Sequence, residues 1–142
     1  MNWTVARQIG MTAAYSGDSN YSASNSAFTV TTVAPGVPTV TLTAAASEVS
    51  VGTQTSLTVS TLGSPSNPNV SLPYGEVVFL DSVSGGAERR LGVGQLTTGN
   101  GGNPIFTLPA VLPSGTNVIR ARYLGSQDWK VAESNSVTVV VK

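Results

Sequence analysis

The chain has 142 residues, seven basic residues balance seven acidic ones, and only 10% of positions are charged. That balance leaves no net field to draw it to nucleic acid or to an anionic membrane surface. It contains no Cys and no His, which removes disulfides, thiolate chemistry and zinc–sulfur sites, and with them the commonest general base and transition-metal ligand.

The first residues, MNWTVARQIG, are not a signal peptide, because Arg7 and Gln8 interrupt any apolar run. No stretch approaches the roughly 20 apolar residues of a membrane helix, so the chain reads as a processed form or a piece of a longer one. Trp3, Val5 and Ile9 fit one edge strand. Met11 to Tyr15 reads as a short strand with Met11, Ala13 and Tyr15 facing one way. Ser16-Gly17-Asp18-Ser19-Asn20 is turn chemistry, since Gly tolerates positive φ and Asp and Asn close local side-chain turns. Ala27 to Thr32 is a second strand with Phe28 and Val30 on one face. Residues 34–38, Ala-Pro-Gly-Val-Pro, cannot continue a sheet ladder and form a short, stiff linker.

The main domain is expected over residues 39–142. Thr39 to Ala45 alternates Val40 and Leu42 with Thr, and Glu48 to Val51 continues it after a bend. Gln54 to Leu62 alternates Leu57 and Val59 with Thr and Ser. Gly63 to Pro73 is a Ser, Pro and Asn loop with Val70 and Leu72 tucked under it. Gly75 to Asp81 places Val77 and Phe79 inward and Glu76 and Val78 outward. Ser82 to Ala87 is a tip. Glu88 to Leu96 contains Leu91 and Val93, with Gly92 and Gly94 allowing a bulge or a close approach. Thr97 to Asn103 is a hairpin loop. Pro104 to Val111 carries Ile105, Thr107 and Leu108, with a bulge near Pro109. Thr116 to Tyr123 presents Ile119, Ala121 and Tyr123 inward, and Ser134 to Val141 presents Val137, Val139 and Val141. No segment keeps a helical period. Seven short strands separated by turn signals predict an all-β, Greek-key β-sandwich.

One stretch occurs twice. Tyr15 lies 108 positions before Tyr123 (123 − 15 = 108), and Ala13 with Ala121, Gly17 with Gly125 and Tyr21 with Trp129 share that offset. After Trp129 the match continues at 109, pairing Ala23 with Ala132, Phe28 with Val137, Thr29 with Thr138 and Val30 with Val139, as though one residue were inserted. Residues 1–33 therefore read as the closing strand pair of another module of the same build.

Particular runs resemble a known family. Pro73-Tyr74-Gly75-Glu76-Val77-Val78-Phe79-Leu80-Asp81 is similar to the "PTGTVTFYDG" strand of bacterial Ig-like repeat domains, and Leu91-Gly92-Val93-Gly94-Gln95-Leu96 to their "LGTATL". The run from Leu112 to Tyr123 resembles their "LPAGTHTITATY", and Tyr15 to Tyr21 matches "YSGDSNY". The resemblance covers Pro38 to Lys142 as a whole module and Met11 to Thr32 as the tail of another. It implies an Ig-like sandwich standing in tandem on a bacterial surface or secreted protein, as spacer, stalk or adhesin segment. The tip at Ser82 to Glu88 and the loop Gly63 to Pro73 depart from the family pattern.

The candidate sites divide into structural and functional readings. Tyr123 and Tyr15 are expected to bury the ring and bond the hydroxyl at a corner, as in the tyrosine corner of Ig folds. Asp18 with Asn20, and Gln127 with Asp128, offer too few oxygens for the six or more that calcium takes, and read as turn formers. Glu76 and Asp81 point to opposite faces of one strand and read as solvated rather than as an acid–base pair. A Ser nucleophile has no His to activate it. Arg89, Arg90, Arg120 and Arg122 read as a solubilising stripe. Tyr74 and Trp129 are the candidate ligand-contact loop residues, for sugar stacking, although Trp129 replaces Tyr21 of the other copy and so fits a packing niche. Trp3, Met11, Ala13, Tyr15, Phe28 and Val30 are the candidate inter-module or inter-subunit contacts, because a lone strand pair is marginal in water.

The expected function is non-catalytic: an extracellular structural module, as stalk, spacer or self-assembling fibre subunit. The alternative is an adhesin-type module that binds glycan or a host surface protein. No catalytic residue, metal or cofactor is expected. The expected partners are neighbouring Ig-like modules or copies of the chain itself, with no nucleic acid and no membrane insertion.

Overall fold

A computed structural model describes residues 7–63, 72–98 and 103–142. Trp3, Val5, Val70 and the middle of the Thr97–Asn103 loop lie outside these residues.

The larger part of the chain is a curled mixed sheet folded into two layers. One layer is formed by β5 (Thr39–Ala44), β7 (Gln54–Leu62) and β10 (Pro104–Val111). The other holds β8 (Gly75–Val83), β11 (Gly115–Tyr123), β13 (Val137–Val141) and the short β6 (Glu48–Val49), with β12 (Ala132–Glu133) beside β11. Strand β9 (Arg89–Thr98) joins the layers: Arg89 to Leu96 pair with β8, and Thr97 and Thr98 pair with β10. The chain is thus all-β with a sandwich-like core.

The core follows from alternation. Val40 and Leu42, Leu57 and Val59, Val77 and Phe79, and Ile119, Ala121 and Tyr123 sit at every second position of their strands and are buried together. Period-two side chains put each set on one face, and the two layers close over them. The rings of Phe79 and Phe106 meet at 6.0 Å between centroids and tilt by 54°, within the range that favours aromatic pairs. Phe106 and Leu108 reach across to β9 and occupy the space where a Cβ at Gly94 or Gly92 would stand. The two glycines are therefore sites of close approach. The bulge is beside them at Leu91, where the β8–β9 register slips between Phe79↔Gly92 and Leu80↔Arg90.

Strand β10 differs from the expectation at Pro109. Its ladder with β7 runs without interruption from Ile105↔Ser60 to Val111↔Gln54, so there is no bulge. Pro109 is tolerated because β9 pairs with β10 only at Pro104 and Ile105, which leaves the missing N–H on an edge with no ladder partner there. Ile105 and Thr107 face out, and Thr107 shares a 2.9 Å hydrogen bond between hydroxyls with Thr58.

The sheet's two ends are consecutive pieces of one stretch. After β5 the chain bends at Ala45–Ser47 and crosses to the other layer, where β6 runs parallel to β13. The outer edge of β5 is closed by Asn135, whose Oδ1 accepts the N–H of Leu42 and whose Nδ2 donates to its carbonyl, both at 3.0 Å. These bonds occupy part of the edge of β5 that would otherwise invite pairing with another chain.

Residues 7–33 form a separate strand pair. β1 (Gln8–Met11) pairs with β4 (Thr29–Thr32), and β2 (Ala14–Tyr15) pairs with β3 (Ser24–Asn25). The expected single strand Met11–Tyr15 is broken at Thr12–Ala13. There the Ser26 hydroxyl accepts the N–H of Ala13 at 2.8 Å, and the Ser26 N–H donates to the Ala13 carbonyl at 2.8 Å.

Candidate interaction site

The two copies of the repeated hairpin share their backbone hydrogen bonds. In the first, Asp18 N–H donates to Tyr21 O at 2.9 Å; in the second, Ser126 N–H donates to Trp129 O at 2.8 Å. The Ser26 contacts with Ala13 recur as Ser134 with Ala121. Gly17 has φ 83° and Gly125 has φ 84°, and a side chain at either would meet the backbone of the following turn. Ladder pairs agree as well: Tyr15↔Ser24 matches Tyr123↔Ala132, and Ile9↔Thr31 matches Asn117↔Val139. Every one of these correspondences has an offset of 108 (for example 139 − 31 = 108). The one-residue insertion suggested by the sequence is absent from the backbone.

That register redistributes the apolar residues of the first copy. Met11 pairs with Thr29 and Ile9 with Thr31, so these share one face. Gly10 pairs with Val30, and the Phe28 ring lies over Gly10, which puts Phe28 and Val30 on the other face. The single apolar face expected from Met11, Ala13, Tyr15, Phe28 and Val30 is thereby split in two, because a shift of one residue turns every side chain over. Phe28 is 68% exposed and Val30 54% exposed. An open groove lined by Ile9, Gly10, Met11, Thr12, Ala13, Ser26 and Thr29 runs along the first face. In the second copy the corresponding face is the buried core.

The tyrosines part in the same way. Tyr123 is fully buried, and its hydroxyl donates to the carbonyl of Tyr74 at 2.6 Å. Burial raises its pKa above the ordinary 10.0. This contact ties β11 to the segment before β8, at the end of the strand away from the β10–β11 corner. That corner is held instead by Asn117, whose Nδ2 donates to Pro113 O at 2.9 Å and Gly115 O at 3.2 Å. Tyr15 is 44% exposed, and its hydroxyl donates to Asp18 Oδ2 at 2.6 Å. Asp18 Oδ1 accepts the N–H groups of Asn20 and Tyr21. The Tyr15 hydroxyl and these amides hold the Asp18 carboxyl below its ordinary 3.8. The Asp18 turn is therefore filled by its own backbone, as expected of a turn former.

Of the two loop aromatics, only Tyr74 offers surface, at 37% exposed. Trp129 is 5% exposed, and its ring lies against the backbone of Gly36 and Gly63. Gly36 N–H donates to Asp128 O at 2.9 Å, and Lys130 N–H donates to Gly36 O at 2.8 Å. The linker is docked by these bonds, and the indole covers it. The equivalent Tyr21 is 71% exposed.

Asp81 is the main departure from the solvated reading of the charged residues. It faces inward, is fully buried, and its Oδ2 accepts from Arg89 Nη2 at 2.8 Å and Nε at 3.2 Å. The sequence signal was available, since Asp81 continues the Val77–Phe79 parity. Arg120 binds Glu88 and Glu133, and Arg122 binds Glu133, on the outer face. The Arg120 guanidinium lowers the Glu88 pKa below its ordinary value. Among the described residues no cluster of three or more Asp or Glu is placed to hold a metal ion, and no helix is long and apolar enough to cross a membrane.

No family model matches the sequence, and no curated protein matches it. Among solved structures the chain is similar to BslA, described as a bacterial hydrophobin, at 18% identity and a TM-score of 0.37. The match covers 76% of this chain and 97% of that one.

Proposed function

We propose that the chain is a non-catalytic structural piece of a bacterial surface or secreted protein. In this reading residues 39–142 are a complete Ig-like Greek-key module, and residues 1–33 are the closing strand pair of a neighbouring module. The observation that carries the reading is the pair of hairpins that agree ladder for ladder at one offset, one covered by a facing layer and one bare. The Ig-like assignment is supported by the stretch that crosses from β5 to β6 and pairs in parallel with β13. It is supported further by β9 passing between layers and by the motif runs around Phe79 and Tyr123.

Of the structural roles, a stalk or spacer is favoured over a self-assembling fibre subunit. A strand pair that adds to a copy of its own chain needs a free edge there, and Asn135 occupies the outer edge of β5 at Leu42. The docked linker, held at Gly36 by Trp129, suits a spacer that keeps its modules in fixed order. The adhesin alternative rests on Tyr74 alone, because Trp129 is covered.

Light scattering on the eluting protein, combined with limited proteolysis, tests the choice. A monomer cleaved within residues 7–33, with residues 39–142 resistant, is the expected result. A concentration-dependent polymer in which residues 7–33 become resistant would establish the fibre role instead. Glycan binding lost on Tyr74→Ala would establish the adhesin role.

A further inference from the structure

At the end of the core remote from Tyr123, three buried side-chain oxygens have no hydrogen-bond partner among the described residues: Thr55 Oγ1, Asp81 Oδ1 and Asn117 Oδ1. Asp81 and Asn117 are fully buried and Thr55 is 5% exposed. The ladders place them at one end of the core. Asp81 pairs with Ile119, and Asn117 is the next inward residue of β11, so the two are diagonal neighbours on one face, about 7–8 Å apart at the backbone. Thr55 pairs with Ala110 on the facing layer, and only residues 112–114 separate β10 from β11. Thr55 therefore faces the core at the same end, from the opposite side.

The remaining valences of these side chains are committed. Asp81 Oδ2 takes both Arg89 donors. Asn117 Nδ2 has three carbonyls around it, those of Pro113, Gly115 and Val139, at 2.9, 3.2 and 3.4 Å. Three acceptors fix the amide's orientation, with its oxygen turned the other way. What is left is one carboxylate acceptor, one amide acceptor and one hydroxyl donor.

We infer that Thr55, Asp81 and Asn117 hold one internal water that bridges the two layers. The water donates its protons to Asp81 Oδ1 and Asn117 Oδ1 and accepts the Thr55 hydroxyl proton. Three hydrogen bonds are the usual complement of a buried water. A cation fits poorly, because Arg89 already neutralises Asp81, and three oxygens are about half of what calcium takes.

Magnetic relaxation dispersion of water ¹⁷O on the intact chain, together with an atomic-resolution crystal structure, tests the inference. The expected results are a density peak within about 3.2 Å of all three oxygens, and a loss of about one long-lived water in Thr55→Val that Thr55→Ser restores. The dispersion of the unsubstituted chain decides the matter even if Thr55→Val fails to fold. The inference is overturned by the absence of any long-lived water, by an unchanged count in folded Thr55→Val, by a peak at cation–oxygen distances, or by the three side chains bonding one another directly.

Discussion

The hairpin that ends at Tyr123 and the one that ends at Tyr15 are built on the same backbone hydrogen bonds, yet their side chains meet different surroundings. Ile119, Ala121 and Tyr123 are buried beneath the facing layer. Their counterparts Met11, Ala13 and Tyr15 are half-buried or exposed, and among the described residues their strands make no ladder beyond their own partners. The turn is local: Gly17 and Gly125 adopt the same positive φ, and the following amide closes on the same carbonyl in both copies. Burial is not local, because it depends on β5, β7 and β10 arriving from elsewhere in the chain. The hairpin motif thus specifies its own geometry but not its own stability, in keeping with the marginal stability of lone strand pairs.

The largest expected effect separates the two regions by core substitution. Phe79→Ala should cost about 3–5 kcal/mol, the usual range for an aromatic removed from a packed core, and should lower the urea midpoint of the module. Phe28→Ala should leave that midpoint unchanged. Equal losses would show that the front pair packs on the module and would dissolve the contrast.

The Trp129 niche offers a second, smaller break. Its ring occupies the space where a Cβ at Gly63 would stand, so Gly63→Ala should cost about 1–3 kcal/mol, as overpacking does, read in thermal or urea unfolding. A change that leaves stability intact would mean the indole has room to move.

Tyr123→Phe removes the bond to Tyr74 O and should cost about 0.5–1.5 kcal/mol, the usual net contribution of one hydrogen bond. Tyr15→Phe should not change the module's stability. The folded pKa of Tyr123 is raised, so its contribution is present below 10.0 and is lost as pH rises through the raised value. Stability measured across alkaline pH should show that step in the unsubstituted chain and lose it in Tyr123→Phe.

The smallest effect lies in the Asp18 turn. Its folded pKa is lowered, so the turn's contribution is present above 3.8 and is lost as pH falls through the lowered value. Amide shifts of Asn20 and Tyr21 should move over that acid range, while those of the matching Ser126 turn should not follow the same curve.

Much of the module was legible in the sequence. Alternation alone assigned the inward faces of the strands bearing Leu42, Val59, Phe79 and Ile119, since a half-buried strand repeats every two residues. The front pair was harder, because no facing layer selects its register. Sequence matching aligned Phe28 with Val137, whereas the turn and Ser26 hold it one residue away. Asp81 was misjudged because its charge outweighed its parity, although Arg89 lies only eight residues on. The contacts of Asn117, of Asn135 with Leu42, and of Trp129 with Gly36 gave no signal in the sequence. Asn135 with Leu42 and Trp129 with Gly36 join residues 93 positions apart (135 − 42 and 129 − 36), and no local pattern encodes such a meeting.

The parallel contact between β6 and β13 also decides how the module answers to tension. If modules stand in a row as proposed, a load along the row would draw β6 and β13 in opposite directions along a shared axis. The bonds Val140 N–H to Ser47 O, Val51 N–H to Lys142 O and Lys142 N–H to Val49 O then share the force in shear, assisted by the Lys142–Glu48 ion pair at 2.7 Å. Antiparallel strands pulled from one end open like a zipper, one bond at a time. Under such a load several bonds would have to yield at once.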